Sequence, residues 1–229
     1  MAESDGSTLE IRVPGTPFPI KFQDWVHDRV FATMEFSNGD TTTLDVFTSG
    51  PGQAIPGGTR TLTHADTNLT RPGSNGLDPG NQMLAYALKV MIKAMGNTVG
   101  AAPAMTDQRA QPVLALWHDF QDKIFMEFRY NQKRRTGGLL TRYPQGGGLH
   151  VVTQVTGQEI VTNGPPSPRD QVAFVMPLWL KPNIGISCTL EPVSALDIDD
   201  AFVYDGVTYT ANYADVQVEL EGLVQKPVQ

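Results

Sequence analysis

The 229-residue sequence has little cysteine, little charge and no long apolar run. Cys188 is its only cysteine, which excludes an intrachain disulfide and a cysteine cluster for zinc or iron–sulfur binding. The longest apolar stretch, 82–95, contains Lys89 and Lys93 and is too short to span a bilayer. The first ten residues have neither a basic region nor an apolar core, so we expect no signal peptide.

Basic residues are also outnumbered. Seventeen Lys and Arg stand against 24 Asp and Glu, which gives a formal net charge of −7. Such a chain is not expected to coat nucleic acid with its whole surface, although a local basic patch can still bind an acidic partner. Hydrophobic residues, at 40%, are sufficient for a core. Twenty-two glycines and 17 prolines exceed the usual share and favour many short strands over long helices.

Motifs for catalysis are missing as well. The four histidines form no HExxH or HxH pair, which the metal sites of zincins and cupin-type oxygenases require. GxSxG, GxxxxGK[ST] and GxGxxG are absent too. We therefore predict a protein that is not an enzyme, with no catalytic residue, cofactor, metal or small-molecule substrate. The acidic run 197–200 has Phe202 where an EF-hand needs glycine, which leaves a loosely bound calcium at a subunit boundary as the alternative.

The sequence is rich in β-strand patterns. Alternating apolar and polar residues predict strands over 9–13, 123–130, 149–155, 172–180, 183–190 and 216–224. In the last of these, Gln217, Glu219 and Glu221 are expected on a solvated face. Asn38-Gly39 and Asp205-Gly206 predict the turns of two hairpins, over 29–48 and 201–210.

Two segments fit more than one pattern. Residues 83–95 fit a helix or a strand, and strict alternation in an otherwise β chain favours the strand. Residues 109–121 predict one short helix that buries Leu116, Trp117 and Phe120. Cys188 shares the parity of Ile186 and Leu190, which places it on an apolar face as a small buried hydrophobe.

The strands are connected by long Gly- and Pro-rich segments, including 49–59, 71–81, 137–148 and 163–169. No internal repeat or low-complexity linker divides the chain. We predict an all-β fold, a single jelly-roll β-sandwich with long loops and one short helix. One domain is expected over 1–229, with an extended N-terminal segment of about 1–20 and a short C-terminal tail.

Basic residues cluster in one stretch. Six of the 17 fall within 20 positions: Lys123, Arg129, Lys133, Arg134, Arg135 and Arg142. One interpretation is a subunit-contact or inner-surface patch that faces an acidic neighbour, a nucleic acid or lipid head groups. The other is a solvated turn with Lys133-Arg134-Arg135 at its tip.

The second half of the chain, about 110–229, resembles the jelly-roll capsid proteins of tailless icosahedral bacteriophages. The resemblance lies in the order of segments: a short helix with WHDF (117–120), the strand DKIFMEF (122–128), and the corner YPQGGGL (143–149). MPLWLKP (176–182) leading into 183–191 is similar to their strand–proline–strand passage, and VQVELEGLV (216–224) with Pro227-Val228 to their last strand and tail.

The resemblance implies a structural subunit that assembles with itself into trimeric or hexameric capsomers, and with other capsid proteins, to enclose the genome. It also implies location in the virion after assembly in the host cytoplasm. The genome and an internal lipid membrane are the further contacts it allows. A chain of 229 residues has room for one jelly roll.

Two other functions fit the same kind of sandwich. A carbohydrate- or receptor-binding module of a phage particle needs exposed aromatic side chains, for which Trp25, Trp117 and Trp179 are the candidates. A glycosidase needs two carboxylates that meet in space, about 5–9 Å apart. We rank both below the capsid subunit.

Overall fold

The computed structural model describes residues 10–11, 20–21, 25–69, 77, 81–96, 120–143, 150–153, 159–162, 172–182, 184–198, 200–204 and 207–225. Predicted features outside these ranges include most of the N-terminal segment 1–20, the corner at 144–149 and the tail 226–229. Most of the described chain is antiparallel β-structure, which confirms the all-β class.

Fourteen strands are described. They are β1 (Glu10–Ile11), β2 (Ile20–Lys21), β3 (Trp25–Ser37), β4 (Leu44–Asp45), β5 (Gln82–Gly96), β6 (Ile124–Tyr130), β7 (Lys133–Leu139), β8 (His150–Thr153), β9 (Glu159–Thr162), β10 (Val172–Leu180), β11 (Ile186–Pro192), β12 (Asp200–Tyr204), β13 (Val207–Ala211) and β14 (Tyr213–Gln225).

Eight of these strands form two four-stranded antiparallel sheets. Sheet one has the order β10-β5-β14-β3, and sheet two the order β4-β11-β6-β7. The other strands form three separate pairs, β1-β2, β8-β9 and β12-β13.

One hydrophobic core is built from alternate residues of both sheets. In β3 the buried residues include Met34 and Phe36, and in β6 they include Met126 and Phe128. The Phe128 ring stacks on Phe174 of β10 with centroids 6.0 Å apart, so the contact joins the two sheets. This placement is what period-2 alternation predicts, because successive side chains of a strand point to opposite faces.

Several predicted elements are confirmed. Residues 83–95 lie in β5, so the ambiguous segment is a strand. The second hairpin is formed by β12 and β13. Cys188 is 1% exposed in β11, and burial, followed by the nearby Asp45, raises the pKa of its thiol.

The hairpin predicted over 29–48 is wrong. β3 pairs along its whole length with β14, from Trp25 opposite Gln225 to Ser37 opposite Tyr213. At the turn Gly39 has a φ of +80°, but Asn38 does not adopt the positive φ that a type I′ turn needs. The turn instead packs on the loop after β11, and the chain crosses to β4 in sheet two.

The helix predicted over 109–121 falls almost entirely outside the described residues. The described part begins at Phe120, which is buried, and 120–123 form a helical turn. A 3₁₀ helix, Leu140–Arg142, follows β7. Within the described ranges we find no helix long and apolar enough to cross a membrane.

Candidate functional site

The predicted basic stretch contains the hairpin β6–β7 at the end of sheet two. Asn131 and Gln132 connect the strands with φ angles of +50° and +61°, the pair of positive values found in type I′ turns. The tip of the hairpin is therefore Asn131-Gln132. The solvated-turn interpretation placed Lys133-Arg134-Arg135 at the tip, but they open the returning strand.

Two arginines lie side by side on the outer face of this hairpin. Arg129 is paired opposite Arg134, and both form ion pairs with Glu127, that of Arg134 at 3.5 Å. The Arg134 guanidinium also lies 5.5 Å from the centre of the Phe125 ring. Intrachain contacts thus fix both guanidinium groups while leaving the two side chains exposed.

Two further basic residues contact Tyr130 at the same end. The hairpin ladder shifts register between Phe128 and Arg129, and the Arg135 guanidinium lies 5.7 Å from the Tyr130 ring centre. The backbone N–H of Lys181 donates to the Tyr130 hydroxyl at 3.1 Å, which brings a fifth basic residue to this end. Sequence reasoning missed Lys181, since no local pattern links it to the hairpin.

The six predicted residues do not form one patch. Lys123 precedes β6 and Arg142 lies beside Gly138, so both are at the opposite end of the hairpin. Six residue steps of β6 separate the two ends, about 20 Å. We name the residues near the tip the basic end: Arg129, Lys133, Arg134, Arg135 and Lys181.

A second polar assembly covers the outer face of sheet one. Gln217 and Glu219 were expected to be solvated, but each is only 3% exposed. They belong to a buried polar layer whose other members are at most 5% exposed: Thr33, Glu35, Asp66, Thr67 and Asp215. The loop 49–69, which we name the strap, packs against β3. The Thr33 hydroxyl donates to the Asp66 carbonyl at 2.7 Å, and the Glu35 N–H to the Pro56 carbonyl at 2.9 Å.

Arg60 of the strap contacts three carboxylates of this layer. It donates to Asp66 at 2.9 and 3.2 Å and to Asp215 at 2.6 Å, and its Nε lies 4.0 Å from Glu35 Oε2. Burial acts to lower the pKa of Arg60, but the hydrogen bonds to Asp66 and Asp215 outweigh it and raise the pKa. Burial first, and the Asp215 charge second, raise the pKa of Glu35.

The arrangement brings together two carboxylates that a glycosidase would need, since Glu35 and Asp215 are directly paired in the ladder. Both side chains, however, are at most 7% exposed and both lie against Arg60 beneath the strap. This geometry suits a structural role, in which the contacts of Arg60 with Glu35, Asp66 and Asp215 hold the strap on sheet one. We name these contacts the latch. In the described part of the chain, no group of three or more His, Cys, Asp or Glu side chains is arranged to hold a metal ion.

A third polar group lies at the other end of the β3–β14 ladder. His27 Nε2 is 2.6 Å from the Tyr86 hydroxyl and 3.0 Å from Glu221 Oε1, and Lys89 forms an ion pair with Glu221. Burial acts to raise the pKa of Glu221, but Lys89 and His27 outweigh it and lower the pKa. Burial and Glu221 together raise the pKa of Tyr86. The group stabilises the ladder on an exposed face.

Of the three candidate tryptophans for carbohydrate binding, Trp179 forms contacts within the chain. The Trp179 indole N–H donates to Gln82 at 2.8 Å, and Lys181 Nζ lies 5.9 Å from the ring centre. Trp25 is half-buried in β3. Trp117 lies outside the described residues.

Comparison with known proteins does not show which of these three polar groups is functional. The chain matches no protein-family model, no curated protein and no solved structure. These comparisons therefore assign no function to the chain, and its topology and surface chemistry are what indicate one.

The buried carboxyl of Glu35 makes a testable contribution to stability. Because the folded state holds the Glu35 proton more tightly than the unfolded chain does, the ionised carboxyl destabilises the fold above its raised pKa. That penalty disappears as the pH falls below 4.5, the ordinary value. Glu35→Gln should therefore raise the free energy of unfolding at pH 7, by an amount that shrinks towards pH 4.

Urea unfolding from pH 4 to pH 8 measures this difference. Glu191→Gln is the matched control, because Glu191 is exposed on sheet two. A Glu35→Gln variant that is less stable than the wild type at pH 7, or whose difference grows towards pH 4, would show that the ionised carboxyl stabilises the strap.

Proposed function

We propose that this chain is a jelly-roll subunit of an icosahedral viral shell and that its activity is self-assembly. The subunit would be of the bacteriophage type that the second half of the sequence resembles. It would be located in the virion and assembled in the host cytoplasm. Its partners are further copies of itself and other capsid proteins. The genome or an internal lipid membrane would lie on its inner side.

The observation that carries the proposal is the pairing of the eight sheet strands. Numbered along the chain, the first pairs with the eighth (β3 with β14), the second with the seventh (β4 with β11), the third with the sixth (β5 with β10) and the fourth with the fifth (β6 with β7). This is the pairing of one long antiparallel hairpin folded so that its successive strand pairs lie alternately in sheet one and sheet two. This pairing supports a jelly roll, an eight-stranded double-sheet architecture that is found in viral capsid proteins and also in lectins.

The surfaces of the sandwich support a role in assembly over a role in ligand binding. Trp179 is held by Gln82 and Lys181, and the carboxylates near Glu35 are held by Arg60, so neither group is presented to a sugar. Charged side chains are instead presented at the basic end, on a short turn fixed by β-pairing. Rigid, charged projections of this kind favour specific protein contacts.

Light scattering on the purified protein, with electron microscopy of the same fractions, tests the proposed function. We expect trimers, hexamers or closed shells. A protein that stays monomeric near 25 kDa at high concentration would contradict self-assembly and favour a binding module.

The basic triplet provides a prediction within this proposal. Replacing Lys133, Arg134 and Arg135 together by serine should weaken assembly about tenfold and make it less sensitive to salt, because the lost contacts are charged. Light scattering between 50 mM and 500 mM NaCl measures both effects. Unchanged assembly with an unchanged salt profile would mean that the triplet is merely solvated.

A further inference from the structure

The two ends of sheet two carry opposite charge. At the end where β6 meets β7, the five basic-end residues are all exposed, and the described acidic side chain beside them is Glu127. Along β11 the sheet runs from Ile186, opposite Tyr130 at this end, to Pro192, opposite Ile124 at the other. The separation is about 20 Å.

Acidic residues are concentrated at the far end. Glu191 is exposed near the end of β11, and Asp197 is exposed in the loop that follows, between the buried Leu196 and Ile198. Asp40, half-exposed, lies beside them in the turn after β3. We name Asp40, Glu191 and Asp197 the acidic end. Asp122 and Lys123, which precede β6, and Arg142, which follows β7, lie at this end too, so the residues named here are four acidic and two basic.

The acidic end is held rigidly by backbone hydrogen bonds between two loops. Gly39 N–H donates to the Leu196 carbonyl at 2.8 Å, and Leu196 N–H to the Asp40 carbonyl at 3.2 Å. Ile198 N–H donates to Asn38 Oδ1 at 2.9 Å. The buried Leu196 and Ile198 anchor the loop on either side of Asp197. The charge is therefore presented in one position, as is the charge of the paired hairpin at the other end.

We infer that a second copy of this chain docks its acidic end on the basic end of its neighbour, so that subunits associate head to tail. The inference rests on the proposed function and specifies one of its contacts. The chemistry is charge complementarity between two preorganised surfaces, which favours specific association at low entropic cost. A head-to-tail contact is heterologous, so repetition generates a ring when the rotation closes.

Charge also favours a second copy over a nucleic acid as the partner. The whole chain has a net charge of −7. A long polyanion bound at the basic end would therefore be repelled by most of the remaining protein surface. A neighbouring copy can present its acidic end to the basic end while the rest of its negative surface lies further away. Nucleic acid is therefore the less favoured partner of the hairpin, and a DNA-binding measurement distinguishes it from a second copy of the chain.

Two charge-reversed variants test the contact. The first carries Lys133→Glu, Arg135→Glu and Lys181→Glu, and the second carries Glu191→Lys and Asp197→Lys. Arg129 and Arg134 are left intact because they are ion-paired with Glu127, and Asp40 because its side chain accepts the Ser37 N–H. Both variants should retain the wild-type melting temperature within about 3 °C, since surface changes usually cost little.

A head-to-tail contact predicts a specific pattern of assembly. Each variant alone presents like charges at both ends and should need about tenfold more protein to assemble at 100 mM salt. An equimolar mixture should assemble at the wild-type concentration, with the two variants alternating in the particles. A variant that carries both sets of changes should assemble alone, because its ends are again opposite in charge.

Each other outcome counts against the inference in a distinguishable way. If the wild type assembles but the mixture assembles no better than either variant, the head-to-tail contact is wrong and self-assembly stands. Loss of binding to a labelled 30-nucleotide single-stranded DNA in the first variant, with assembly unchanged, would assign the basic end to nucleic acid. If the wild type itself never assembles, the proposed function fails and the contact fails with it.

Discussion

Replacing Arg60 by glutamine should lower the free energy of unfolding by about 3 kcal/mol at pH 7, the lower end of the range for removing one partner of a buried ion pair. Arg60 is 35% exposed, but the carboxylates that it contacts, Glu35, Asp66 and Asp215, are only 6–7% exposed. Without the guanidinium, three negative charges would share a desolvated space. Urea unfolding at constant pH measures the loss.

Two variants control this result. Arg29→Gln removes an arginine that also bonds a buried carboxylate, Glu219, at 3.0 Å, but Arg29 is 54% exposed and contacts one carboxylate through one bond. We expect it to cost about half as much as Arg60→Gln, because one buried carboxylate loses this partner, whereas three lose the guanidinium of Arg60. Adding Glu35→Gln to Arg60→Gln should recover part of the loss, because it removes one of the crowded charges. Equal effects of Arg60→Gln and Arg29→Gln would contradict the latch.

The sequence predicts one face of the main strands but not the other. Alternation in β3, β6, β11 and β14 identifies the core face of each strand, because a sheet packed on one face imposes period 2 on its residues. The polar face of β3 and β14 could not be assigned in this way, because its burial depends on the strap. Their polar residues are typical of a solvated face, yet they are buried because the strap supplies Arg60, Asp66 and backbone partners.

Pairings between distant strands could not be predicted by local reasoning. Asn38-Gly39 favours a hairpin with 42–48, whereas the true neighbour of β3 is β14, at the other end of the chain. The outcome depends on the total apolar surface that each pairing buries, which no local pattern records. The bond between Arg60 and Asp215 joins residues 155 positions apart for the same reason.

Of the candidate site, the sequence shows the density of basic residues but not their geometry. The dense run of basic residues coincides with the β6–β7 hairpin, but the solvated-turn interpretation placed the tip at Lys133-Arg134-Arg135. Asn131 was the available signal, because asparagine tolerates a positive φ more readily than most residues, and its φ is +50°. Lys181 and Asp197 reach the two ends of sheet two through tertiary contacts, so their role in the charge pattern required the fold.

Gly57→Ala should be about as damaging as Arg60→Gln, at a different point of the same strap. Pro56-Gly57 occupies the centre of a turn in which Gly58 N–H donates to the Ile55 carbonyl at 3.1 Å, and Gly57 has a φ of +84°. A Cβ at Gly57 would overlap the backbone carbonyl of Glu35 and come within 2.7 Å of Leu44 Cδ1. The strap can pack this closely on β3 because residue 57 has no side chain.

Gly52→Ala separates the two causes of that loss. Gly52 lies in the strap with a φ of +86°, but a Cβ there meets nothing within 4 Å, so its substitution should cost about 1 kcal/mol from backbone strain alone. Gly57→Ala adds an overlap with backbone that cannot move aside, for a total of about 3 kcal/mol. Thermal and urea unfolding of both variants measure the difference. If the two alanines cost the same, the close approach of the strap to β3 does not contribute to stability, and the latch at Arg60 would have to hold the strap without it.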